Sequence, residues 1–145
     1  MKNLDKICAL IYLIKPEVTN LVLQKLLYFI QAYSLVETDE KAFDETIEAW
    51  MYGPVVPEVY SNLKKNPDYY KKVVKKEEFE DELYDITKEV VDELGDISPY
   101  TLVNLTHSYS PWIEAWNEGG RNTALEPSDI RKYHLEKFQR TGSIV

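Results

Sequence analysis

The chain has 145 residues, a net charge of −8 and a pI near 4.8, a length that suits one domain burying roughly two thirds of its unfolded surface. Hydrophobic residues at 44% against 29% charged exclude a mostly disordered chain. The acidic balance weighs against direct nucleic-acid binding, because displacing phosphate counterions needs clustered Lys and Arg. No apolar run is long enough to span a bilayer, and no secretory leader opens the sequence. Cys8, the only cysteine, lies in an apolar helical pattern, so a buried filler in a reducing cytoplasm is expected.

In chain order, Ile7, Leu10, Ile11 and Ile14 form the i, i+3, i+4, i+7 stripe of an amphipathic helix that Lys15-Pro16 ends. A second helix, capped by Thr19 or Asn20 and running to about Leu35, carries Val22, Leu23, Leu26, Leu27, Phe29, Ile30 and Tyr33. Apolar on most sides, it should be the central helix. Its polar members, Gln24, Lys25, Gln31 and Ser34, mark the face expected to reach the surface or a partner, although Gln31 equally suits a satisfied core amide.

Residues 43–52 read as a strand, with Ile47, Ala49 and Met51 on one side and Glu48, Trp50 and Tyr52 on the other. Gly53-Pro54 breaks it, because proline has no N–H for a ladder and forces the preceding residue toward extended geometry. Pro57 suits a first helical position and Glu58 the positive helix end, so a helix should run to about Lys65, where Asn66-Pro67-Asp68 stops it. Val73, Val74 and Phe79 offer a second strand, at 73–80, to pair with the first. Farther on, Ile86, Val90 and Leu94 form a helical stripe closed by Gly95. Ser98-Pro99 and Ser110-Pro111 are two copies of one start signal, a capping hydroxyl followed by proline. The second of these helices carries Trp112 and Trp116 and ends at Gly119-Gly120. A last helix begins near Pro127, with Ile130, His134 and Phe138 on one face. Residues 1–140 are thus expected to form a single domain and 141–145 a flexible tail.

Charge is unevenly spread. Six lysines against Asp68 give +5 over residues 64–76, and ten acids against Lys88 give −9 over 77–96. Such blocks are usually solvated faces, and the sharper alternative is a patch that steers a partner.

Chemistry is hard to find. His107 and His134 are well separated and lack HExxH or CxxC company, so no metal is expected. There is no phosphate loop and no nucleophile motif, and no cofactor is expected. His107, at a helix end before Trp112, either caps carbonyls or, with Glu114, serves an enzyme or effector. Trp50, Tyr52, Tyr60, Trp112 and Trp116 suit core packing with a polar tip or, alternatively, an aromatic binding surface.

The segments LQKLLYFIQAYSL (Leu23 to Leu35), FDETIEAWMYGPVVPEVY (Phe43 to Tyr60) and LTHSYSPWIEAW (Leu105 to Trp116) resemble, in order and spacing, the SocA-like or Panacea domain of bacterial antitoxins and phage-associated proteins. The middle segment is the specific one. The resemblance implies a mainly α domain of six to seven helices with a small β element, without enzymatic role, that binds and neutralises a cognate toxin. One branch of the family implies a different outcome, in which an adaptor hands the toxin to an ATP-dependent protease. Carried over by position, the family pattern falls on Leu26, Tyr28, Gly53, Pro54, Val55, Pro57 and Pro111 as structural signatures. Trp50, Tyr52, Tyr60, His107 and Trp112 are the candidate partner contacts, with Trp50 and Tyr52 first.

Overall fold

In a computed structural model describing residues 1–145, seven helices pack together with a three-stranded antiparallel sheet. Helix α1 (Asn3–Ile14) ends at Lys15, and α2 (Asn20–Thr38) follows after Thr19, whose hydroxyl accepts from the Val22 N–H at 3.3 Å. The first helical turn has free N–H groups, and this cap satisfies one of them. Strands β1 (Ile47–Trp50) and β2 (Gly53–Val55) form a hairpin, followed by α3 (Pro57–Lys65), α4 (Leu83–Leu94), α5 (Pro99–His107) and α6 (Ser110–Gly119). Strand β3 (Thr123–Leu125) and α7 (Pro127–Thr141) complete the chain.

Helix α2 is the central element, packed against α3, α4, α5, α7 and β2, while α1 packs on α4. Cys8 is fully buried among this core. The strand order is β2-β1-β3. Trp50 pairs with Gly53, leaving Met51 and Tyr52 as a two-residue turn, and Ile47 pairs with Leu125. The inward residues Ile47 and Ala49 are 3% and 0% exposed, whereas Met51 leaves their row for the turn and is 61% exposed.

Several expectations need correction. Gly53-Pro54 does not end the sheet but starts its second strand. Proline is tolerated there because β2 lies at an edge of the sheet. Gly53 adopts a φ of +110°, and a Cβ would stand 2.8 Å from Thr106 Oγ1 and 2.9 Å from Lys25 Cε, so only glycine fits. Residues 73–80 do not pair with β1, since both of its edges are occupied by β2 and β3. They hold a 3-10 turn at Lys76–Glu78, with Val74 and Phe79 buried in the main core and Val73 78% exposed. Ser98 caps α5 through the Thr101 N–H, but Ser110 lies inside α6, whose cap position is Tyr109. The segment after Thr141 folds back, and Ile144 is only 6% exposed.

The largest correction concerns Gln24, Lys25 and Ser34 of α2, whereas Gln31 is the satisfied core amide given as its alternative. Gln24, Lys25, Gln31 and Ser34 are all buried, and each holds backbone from another segment. Gln24 Oε1 accepts from the Val56 N–H at 2.8 Å, and Lys25 Nζ donates to the Pro54 carbonyl at 3.0 Å. Gln31 accepts from the Ala42 N–H and donates to the Phe43 carbonyl, at 2.7 and 2.9 Å. Ser34 donates to Glu40 O at 2.7 Å. Irregular backbone at residues 40–43 and the outer edge of β2 would otherwise be buried without partners. The polar stripe is therefore the seam that fixes the hairpin to the helical body.

Candidate functional site

The hairpin carries the site. Below its turn, the Pro54 carbonyl is held by Lys25 and the neighbouring Val56 N–H by Gln24. From the other side, Trp112 Nε1 donates to Trp50 O at 2.9 Å and His107 Nε2 donates to Met51 O at 2.7 Å. The His107 and Trp112 rings lie 4.2 Å apart, and Trp112 stacks on Trp116 at 5.2 Å with a 15° interplanar angle. His107 and Trp112 thus position the turn from the α5–α6 corner. His107 binds a carbonyl, as a capping histidine would, but the carbonyl belongs to the hairpin and not to its own helix.

Clamped in this way, the turn presents Tyr52, which is 64% exposed. Trp50, on the outer face of β1, packs edge-on to Tyr60 of α3 at 5.0 Å, and its indole N–H donates to Glu48 Oε1 at 3.1 Å. The Arg121 guanidinium lies 5.0 Å over the Trp50 ring. Together with Leu21 and Lys25 of α2, these side chains line a mostly apolar groove of about 290 Å³. Trp50, Tyr52 and Tyr60 therefore share one surface, whereas His107 and Trp112 support it from behind.

Of the signature residues, Leu26, Tyr28, Gly53, Pro54, Val55 and Pro111 are buried, and Pro57 starts α3. Tyr28 hydrogen-bonds His134 Nε2 at 2.8 Å, and His134 Nδ1 meets the Ile144 carbonyl at 2.5 Å. A carbonyl only accepts, so Nδ1 carries the proton and Nε2 accepts from the tyrosine. Burial lowers the His134 pKa from 6.5 to about 4, which keeps this ring neutral.

Arg121 and Lys25 are groove residues that were not among the expected partner contacts. Arg121 follows a glycine pair and has no local signal. Lys25 did have one, as a lysine set in an otherwise apolar helical run. It is 0% exposed, and burial lowers its pKa from 10.5 to about 7. No group of three or more His, Cys, Asp or Glu side chains is gathered for a metal. No helix is long and apolar enough to cross a membrane.

A family model described as "Antitoxin SocA-like, Panacea domain" matches residues 23–113, a span that begins within α2 and holds the hairpin and the α5–α6 corner. Antitoxin SocA of Caulobacter vibrioides (strain NA1000 / CB15N) is 31% identical over 150 residues, covering 94% of this chain and 78% of that protein. No solved structure matches.

Proposed function

Because the chain belongs to the SocA-like antitoxin, Panacea domain family, we propose that it neutralises a cognate toxin by binding it directly through the hairpin groove. The observation that supports this reading is the use made of residues 47–60, the family's specific segment. They form a rigidly held turn whose aromatic side chains remain partly open to solvent. Tyr and Trp on a clamped turn give large contact area at little entropic cost, the usual composition of an energetic centre at an interface. The exposed acids of α4 and the segment before it, residues 77–96, lie outside the groove and suit electrostatic steering of a basic toxin.

On this reading the protein is a cytoplasmic binding module and not an enzyme. His107 supports that role, since its Nε2 is committed to the hairpin carbonyl. Co-expression with the toxin encoded beside it tests the proposal. Restored growth with intact toxin that co-purifies with this chain is the expected result. Continued arrest without co-purification refutes it. Restored growth with loss of the toxin, dependent on an ATP-dependent protease, supports the adaptor mechanism in its place.

A further inference from the structure

Lys25 is a buried ammonium with an incomplete set of partners. An ammonium has three N–H donors, and the structure gives this one a single acceptor, Pro54 O at 3.0 Å. None of the chain's ion pairs includes it, although the protein has 25 acidic residues. A buried charge left without a counter-ion is costly, and natural cores avoid it unless the site has another use. Lys25 forms part of the groove floor, Arg121 stands at the rim over Trp50, and the remaining walls are mainly apolar. Glu48, on the same strand face, spends a carboxylate oxygen on the Trp50 indole N–H.

We infer that the groove receives the C-terminal residue of a partner polypeptide, its carboxylate meeting Lys25 and Arg121 and its large apolar side chain lying among Leu21, Trp50 and Tyr60. A lysine buried at the floor of an apolar hollow of about 290 Å³ and an arginine at its rim match a terminal residue, which brings an anion and an apolar side chain on one Cα. An internal glutamate carries its charge at the end of its side chain and leaves the aromatic walls to other residues. Carboxylate capture of this kind is a recurrent mode of peptide recognition. The lowered pKa of Lys25, about 7, agrees with an ammonium that lacks its counter-charge in the free protein. The inference rests on the hairpin groove as the partner surface and adds the chemistry of what fills it.

The test uses the full chain and two probes, N-acetyl-Gly-Leu with a free C-terminal carboxylate and the same peptide amidated, followed by tryptophan fluorescence and NMR shifts of the Arg121 side chain. The free acid should saturate with a Kd on the order of 1 mM or tighter, and the amide should bind roughly 10- to 100-fold more weakly. Lys25→Met should make acid and amide bind alike. Arg121→Gln, a change at an exposed residue that leaves the fold intact, should weaken the acid several-fold, so the claim stays testable if the Lys25 variant does not fold. Equal binding of acid and amide, no saturation by either, or equal binding of an amidated peptide with an internal glutamate overturns the inference. Loss of the peptide result while co-expressed toxin is still neutralised removes the carboxylate claim alone, whereas loss of both removes the groove as the partner surface.

Discussion

Lys25 and His134 are both buried bases, held by the same central helix, yet they are buried on different terms. His134, beneath the C-terminal segment, has both ring nitrogens engaged, one by Ile144 O and the other by Tyr28. Lys25, beneath the hairpin, has one of its three donors engaged. Burial depresses both pKa values, to about 4 and about 7. A neutral, fully satisfied histidine is an internal fastener. A lysine with a single acceptor, buried beneath a groove, keeps donors to spare. The difference distinguishes the two regions more sharply than the aromatic content of either, since both are rich in rings.

The largest effect concerns His134. Its folded pKa lies below its unfolded value, so the unfolded chain takes up the proton first. Its contribution is therefore present above pH 6.5 and is lost as pH falls toward about 4. That loss is on the order of 3 kcal/mol. Urea unfolding at pH 7 and pH 4.5 should show it in the wild type and not in His134→Gln. An equal pH slope in both proteins would show that His134 is not the group whose protonation destabilises the fold.

Gly53→Ala comes next. The positive φ and the contacts with Thr106 and Lys25 should cost roughly 2 to 3 kcal/mol and displace the turn. Loss of partner binding should accompany the loss of stability in a denaturation series. A stable Gly53→Ala protein that still binds would show that the hairpin is not held as described.

Lys25 sharpens the other end. Its folded pKa is also below its unfolded value, so stability rises with pH from about 7 upward. Relative to Lys25→Met, the wild type should gain roughly 2 kcal/mol between pH 7 and pH 9. Parallel unfolding free energies across that interval would mean the ammonium already has a counter-charge. The smallest effect is at Tyr109, whose buried hydroxyl has no hydrogen-bond partner. Tyr109→Phe should raise stability by about 1 kcal/mol in thermal or urea unfolding.

The helices were legible in the sequence because their signals are local. The Ile7 to Ile14 stripe, the Thr19 cap and the prolines at 57, 99 and 127 each act within one or two turns. Strand β3 was not legible, because three residues, Thr123 to Leu125, carry no periodicity and gain their structure only by pairing with Ile47 to Ala49. The polar stripe of α2 was misjudged for a related reason. Gln24, Lys25 and Ser34 look like a solvent face until the backbone segments they satisfy are brought in from other parts of the chain. Trp50, Tyr52 and Tyr60, which the strand pattern and the family resemblance single out, line one groove. Arg121 was missed because it reaches Trp50 through the β1–β3 crossing, which no local rule reports.

The most direct test is the affinity of the purified chain for its cognate toxin, measured by titration calorimetry with wild type and with Tyr52→Ser. Tyr52 is 64% exposed, so its replacement should leave stability almost unchanged. The expected result is a direct complex that Tyr52→Ser weakens by roughly 10-fold or more, as loss of an aromatic anchor would. An unchanged affinity, or no complex with the wild type, would contradict the assignment of the hairpin groove as the toxin-binding surface.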